Sequence, residues 1–315
     1  MYFQRTLKSD LSCQSVGLHS GRKVNMRIRP ASSDEGIILV RTDTRYRQMI
    51  RVCLENVTDT TLATTIGSSG AAISTVEHIL SALSGMGVDN AIIEVDAPEI
   101  PIMDGSALPF VNMLKLVGIR TQEKLKKYLV VKKPVSVSEG ESFAMLAPSS
   151  SFEITYKIEF DHPLIKEQSY HLKLSDETYE KEICSSRTFG FLKDVEYLQA
   201  KGLALGGSLK NAVILDEKRI INKEGLRSHN EFVKHKILDA IGDLSLIGMP
   251  IVGHFIAYKS GHKLNSMLVK ALLEQQENWT TASFLNCQDA HGQNTREKFS
   301  IRDIPARKIL GAIHA

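Results

Sequence analysis

Glu231-Phe232-Val233-Lys234-His235-Lys236-Ile237-Leu238-Asp239-Ala240-Ile241-Gly242-Asp243 is the stretch on which the reading of this chain turns. Wound as a helix, it sets His235, Asp239 and Asp243 at i, i+4 and i+8, a nearly straight row along one face. Phe232, Val233, Ile237, Leu238, Ile241 and Leu244 form a broad apolar stripe for a core. One imidazole and two carboxylates bordering such a stripe suit a metal or an acid–base site. The plainer alternative is an amphipathic helix with one His–Asp contact, and the helix taken alone favours it.

Moving outward, the succession of short strands, apolar helix, glycine and strand occurs twice. Ser74 and Thr75 offer N-caps for a helix through Ser84 that Gly85 and Gly87 stop, and the strand Ala91–Val95 follows. His78-Ile79-Leu80-Ser81-Ala82-Leu83 lines up with Lys236-Ile237-Leu238-Asp239-Ala240-Ile241. Short strands precede each helix: residues 24–28, 36–41 and a threonine-rich stretch over 57–65 in the first half, then 128–132, 135–137, 143–146 and the alternating 152–158 in the second. Helices are also expected over 107–117, about 176–185 and 264–274, with a buried strand over 251–258. Lys124 to Lys127 reads as a solvated join. A chain of 315 residues exceeds the usual size of one core. The expectation is an α+β fold of two similar halves, residues 1–126 and 127–286, facing each other across their helices, with a site at the interface. The polar tail 287–315 is expected to be poorly ordered.

Composition bounds the function. With 43% hydrophobic and 24% charged residues the chain is a globular type, and a net charge of +3 gives no argument for nucleic acid as a partner. Cys13, Cys53, Cys184 and Cys287 are scattered without a CxxC pair, which fits free thiols in a reducing cytoplasm. The N-terminus lacks the apolar core of a signal peptide. The longest apolar stretch, 244–258, is short for a membrane span and is broken by Gly248, Pro250 and His254. The reading is therefore a cytoplasmic protein, a monomer by default, with at most peripheral membrane contact.

Several residues could carry chemistry. Glu77 and His78 open the first-half helix. Were His78 to join His235 and Asp239, two imidazoles and a carboxylate would make a catalytic zinc shell with a fourth position free for water. Glu77 could then take a proton from that water. A solvated glutamate and a satisfied histidine are the simpler account of the same pair. Ser260-Gly261-His262 puts a histidine in a turn, where Asp243 could hold it as an imidazolium; a surface histidine is the rival reading. Ser186-Arg187-Thr188-Phe189-Gly190-Phe191 offers the Thr188 hydroxyl as an oxyanion donor, or else is a turn with core phenylalanines. Leu192, Val195, Leu198 and Leu203 after it fit either a tunnel for an acyl chain or a small core, and periodicity alone favours the core.

In their order and spacing, the segments around Glu77-His78, Glu99 to Ser106, Ser186 to Phe191, Phe232 to Asp243 and Ser260 to His262 resemble the UDP-3-O-acyl-N-acetylglucosamine deacetylase family, over about residues 2–285. The resemblance implies helices packed together between two outer β-sheets. It implies one catalytic Zn²⁺ on His78, His235 and Asp239, a donor set that Fe²⁺ or Co²⁺ also accepts. Glu77 corresponds to the general base, and His262, charged and oriented by Asp243, to the acid for the amine. Thr188 corresponds to the oxyanion donor and Lys236 to a substrate contact. An acyl passage over about 191–214 would be lined by Phe189, Phe191, Leu192, Val195, Ala204 and Ile214. The implied reaction removes acetate from the 2-acetamido group of a UDP-linked 3-O-acyl glucosamine, the committed step of lipid A synthesis. A zinc amidase for another N-acetyl sugar and a non-catalytic nucleotide-binding relative are the alternatives. His229 and His254 have no role in this reading.

Overall fold

Along Lys23–Pro30, Val24, Met26 and Ile28 are buried while the residues between them are exposed, so period-2 patterning gives a strand with one face on a core. This strand pairs antiparallel with Leu11–Val16 on one side and with Ala91–Val95 on the other. Ala91–Val95 in turn runs parallel to Ile37–Arg41, which pairs with Met49–Arg51. The order recurs later in the chain. Val135–Glu139 pairs with Ser142–Ala147, that strand with Ile251–Tyr258, and Ile251–Tyr258 runs parallel to Phe152–Phe160, which pairs with Lys166–Lys173. Each sheet thus gives the strand that follows a helix both an antiparallel and a parallel neighbour; in the second sheet Ile251–Tyr258 also runs parallel, at its start, to Tyr128–Val131, which pairs with Trp279–Ala282. The computed structural model describes residues 2–284, so the expected tail 287–315 lies outside the described residues.

The helices are α1 (Glu77–Gly85), α2 (Leu108–Val117), the single turn α3 (Asp176–Thr178), α4 (Leu192–Ala200), α5 (Glu231–Leu244) and α6 (His262–Glu274). α1 packs on α2, and α2 reaches the strand Leu11–Val16. α5 packs on α6 and on the strands Phe152–Phe160 and Lys166–Lys173, and α6 lies against Val135–Glu139 and Ser142–Ala147. α1 and α5 then pack on each other, which closes an α+β sandwich with helices between two sheets. Among the described residues no helix is long and apolar enough to cross a membrane.

Four local expectations are corrected. Thr75 does not cap α1: it sits at φ +58 and its hydroxyl donates to Glu99 Oε1 at 3.1 Å, so Val76 precedes the helix with no side-chain cap. Lys126 is no solvated linker residue, for it is buried with its ammonium 2.9 Å from Asp89, while Lys124 lies within the strand Ile119–Leu125, paired with Phe3–Leu7. The helix expected over 176–185 is one α-turn running into a π-helical stretch, Tyr179–Ile183. His262 lies not in a turn but at the first position of α6, after Gly261.

Candidate active site

The site begins with a backbone contact. α1 and α5 cross so closely that a Cβ on Gly242 would lie 2.1 Å from the Glu77 carbonyl oxygen. Only a residue without a side chain fits there, and the crossing sets His78 of α1 against His235 and Asp239 of α5. One ligand-type atom from each of the three lies within 4.8 Å of the others, and all three residues are buried. Asp239 Oδ1 stands 3.5 Å from His78 Nε2 and 3.3 Å from His235 Nε2. That oxygen is buried without a hydrogen-bond partner, as is His78 Nδ1. An orphaned buried carboxylate oxygen is costly, and an ion at ~2.0–2.2 Å from Asp239 Oδ1 and the two Nε2 atoms would satisfy it in a triangle of this size. The donor set therefore fits a divalent metal.

The surroundings tune these donors. His235 Nδ1 donates to the Ser186 carbonyl at 3.0 Å, which leaves Nε2 with its lone pair towards the other two. Burial drives the His235 imidazole down to about 3, so it is neutral at physiological pH, as ligation requires. Burial opposes ionisation of Asp239, but its basic neighbours, His235 when protonated and Lys236 throughout, outweigh it and hold the carboxyl well below the usual range. Lys236 Nζ donates to Asp239 Oδ2 at 2.7 Å, so each carboxylate oxygen has a separate task.

Beside the triad stand a carboxylate and an imidazole of opposite charge. Burial raises the Glu77 carboxyl above its ordinary value, the nearby His262 opposing this. Glu77 Oε2 accepts the backbone N–H of Thr64 at 3.0 Å. His262 Nδ1 donates to Asp243 Oδ2 at 3.0 Å. Burial alone would lower the His262 imidazole, yet Asp243 and then Glu77 push it up to about 9. Asp243 is buried and also accepts the Thr64 hydroxyl at 2.6 Å and Asn265 Nδ2 at 2.8 Å. The arrangement offers a carboxylate base and an imidazolium acid on one cleft of about 440 Å³, which also exposes His78, His235, Asp239, Lys236 and Thr188.

Thr188 is placed by its neighbours. Its N–H donates to the Gly105 carbonyl at 2.7 Å, and the preceding Arg187 makes a buried ion pair with Glu231, Nε to Oε1 2.8 Å, at the start of α5. The strand Phe189–Phe191 runs parallel to Val213–Leu215, and Phe189 packs its ring edge-on against Phe232. Of the expected passage residues, Phe189 lines this cleft, while Phe191 and Leu192 line a separate groove with Phe160 and His162. Val195 on α4, Ala204 in the loop after it and Ile214 on the strand line neither. α4 contributes no buried residue, and Leu192 is 50% exposed, so the small-core reading of this segment fails.

Sequence reasoning missed Thr64, Asn265, Glu99 and Gly242. Thr64 was visible only as part of a threonine-rich strand. Asn265 lies three residues beyond His262, a helical spacing that could have flagged it. Glu99 is buried and accepts the N–H groups of His19 and Ser20, both at 2.8 Å, which pins the loop that carries His19. Leu205 and Gly206 then donate to the carbonyls of His19 and Leu18, tying the segment after α4 to that loop. His254, unassigned from sequence, shares the Thr155 hydroxyl with His171 at 2.8 and 2.9 Å, away from the cleft.

A family model described as UDP-3-O-acyl N-acetylglycosamine deacetylase matches residues 4–274. A UDP-3-O-acyl-N-acetylglucosamine deacetylase of Shewanella piezotolerans is 51% identical over 293 residues, 92% of this chain and 96% of the relative. Proteins of the same name from Shewanella oneidensis, 51% identical over 293 residues, and Shewanella violacea, 52% identical over 287 residues, match with similar coverage.

Proposed function

Because the chain belongs to the UDP-3-O-acyl-N-acetylglucosamine deacetylase family and is a deacetylase of the amidase type, we propose that it hydrolyses the 2-acetamido group of UDP-3-O-[(R)-3-hydroxyacyl]-N-acetylglucosamine with one Zn²⁺. The reaction releases acetate and is the committed step of lipid A synthesis. The observation that carries this reading is the convergence of His78, His235 and Asp239 beside the Glu77 and His262–Asp243 groups on one cleft.

In this proposal His78, His235 and Asp239 hold the ion. When bound, it supplies Lewis acidity to a water and to the acetamide oxygen. Glu77 takes the proton of the attacking water at its carboxylate, whose basicity burial has raised. The Thr188 hydroxyl donates to the oxygen that gains charge as the carbonyl carbon becomes tetrahedral. His262, with Nδ1 committed to Asp243, delivers a proton from Nε2 to the departing nitrogen, and the C–N bond breaks to give acetate and the free amine. Asp243 keeps the imidazole charged and oriented and does not itself need to exchange a proton. Lys236 stands at the cleft with its charge partly neutralised by Asp239 and contacts substrate. Phe189 in the cleft and Phe191 and Leu192 in the neighbouring groove serve the acyl chain, and the half-exposed Leu192 has apolar surface to offer it.

Acetate release from UDP-3-O-acyl-N-acetylglucosamine tests this reading, run before and after a chelator and after zinc is restored. Equal rates on an N-acetyl sugar lacking both the UDP and the acyl chain would instead favour an amidase of other specificity. No release from any substrate by zinc-loaded protein would refute the reading.

A further inference from the structure

We propose that Thr64 is a positioning residue for this reaction, holding the base Glu77 and the Asp243 partner of the acid His262 in one fixed relation. The inference rests on the acid–base assignment above. Thr64 lies on neither helix of the site; it sits just before the short strand Thr65–Ser68 and is 1% exposed. Three of its polar groups are engaged at the site. Its backbone N–H donates to Glu77 Oε2 at 3.0 Å. Its carbonyl accepts the N–H of Val76, the residue before α1, at 3.2 Å. Its hydroxyl donates to Asp243 Oδ1 on α5 at 2.6 Å.

The main-chain groups of Thr64 therefore fix the carboxylate and the first turn of α1, while its side chain fixes a carboxylate on α5. Asp243 has two other partners, Asn265 and His262, both on α6. Without the Thr64 hydroxyl nothing among these bonds ties Asp243 to the α1 side of the cleft. Water is a poor substitute at so buried a position, and one oxygen of the carboxylate would lose a donor. The base and the acid must act on opposite ends of one scissile amide, so their spacing matters to turnover more than to binding.

The test measures kcat and KM for acetate release, with metal content, in the wild type, Thr64→Ser, Thr64→Val, Asp243→Asn and the Thr64→Val/Asp243→Asn double variant. Thr64→Val keeps the shape and removes the hydroxyl, and should lower kcat by about 10-fold or more with KM within about twofold. Metal content should match the wild type, and Thr64→Ser should stay within about threefold of it. On the Asp243→Asn background, Thr64→Val should cost less than about twofold, because the partner it acts through is already impaired. A Thr64→Val enzyme with wild-type kcat overturns the proposal. So does Thr64→Ser falling as far as Thr64→Val, or the full loss recurring on Asp243→Asn. Should Thr64→Val not fold, Thr64→Ala carries the same expectations. A wild-type protein that releases no acetate refutes the acid–base reading itself, before any variant is compared.

Discussion

Gly242→Ala puts the whole placement of the site at risk through a single methyl group. The added Cβ would stand 2.1, 2.8 and 2.9 Å from the carbonyl oxygen, carbonyl carbon and Cα of Glu77. All three are backbone atoms, so no rotamer change relieves the contact. Restoring a separation of 3.0 Å from the oxygen requires α1 and α5 to part by roughly 1 Å. Alanine gains about 1 kcal/mol over glycine within a helix, whereas overpacking costs about 1–3 kcal/mol, so the net loss of stability is small. The catalytic effect is not small. Glu77 and His78 ride on one helix, His235 and Asp239 on the other, and a misplacement of about 1 Å costs on the order of 10²-fold in rate. The expected result is a melting temperature within a few degrees of the wild type, turnover down about 10²-fold, and metal lost more readily on dialysis against a weak chelator. Thermal unfolding, acetate release and metal per chain measure the three. Turnover within about twofold of wild type, with metal retained, would falsify the argument that this helix contact sets the site.

The other expectations follow from the same geometry. With His262 pushed up to about 9, turnover should persist to about that pH and fall above it; Asp243→Asn should move this alkaline limb downward, and a limb that stays put would remove Asp243 from the role. The same raised value stabilises the fold fully below the unfolded value of ~6.5 and loses that contribution as pH rises through about 9, which chemical denaturation at pH 6 and 10 can read. Thr188→Ala should cost ~10²–10³ in turnover, and Glu77→Ala or His262→Ala more, in steady-state kinetics on metal-loaded protein; near-normal turnover of Glu77→Ala would exclude it as the base. His78→Ala should abolish stable metal retention, read as zinc per chain after dialysis, and retention at wild-type level would remove it from the ligand set. Arg187→Met leaves Glu231 buried without its partner and should destabilise the fold by about 3–5 kcal/mol in urea unfolding.

Elements with strong periodicity were legible because burial and pattern coincide. α5 carries its apolar stripe and its polar row in one uninterrupted segment, and the strand Ile251–Tyr258 is apolar enough to announce a central position. What eluded the sequence was decided by distant partners. Thr75 has the chemistry of a cap, but Glu99 claims its hydroxyl and the backbone turns left-handed there. Lys126 has the look of a solvated lysine until Asp89 arrives from the α1 side of the fold. Thr64 and Asn265 meet Asp243 across 179 and 22 residues of chain, separations over which no local pattern acts.

The repeated sheet order explains the architecture of the site without explaining its chemistry. In the alignment of the two helices, His78 falls opposite Lys236, and by the same offset Glu77 falls opposite His235, Ser81 opposite Asp239 and Gly85 opposite Asp243. The candidate ligands are therefore not symmetry mates. α5 supplies a long polar row over two turns, whereas α1 supplies two adjacent residues from its first turn. That asymmetry follows from how the helices meet. Gly242 admits the very start of α1, at Glu77, against α5, and this sets the first turn of α1 beside the row. Had the crossing fallen one turn further along α1, Ser81, whose hydroxyl takes the Tyr179 phenol at 2.9 Å, would face Asp239 in place of His78. A position without a side chain thus does as much to assemble the candidate site as the residues that would bind the ion.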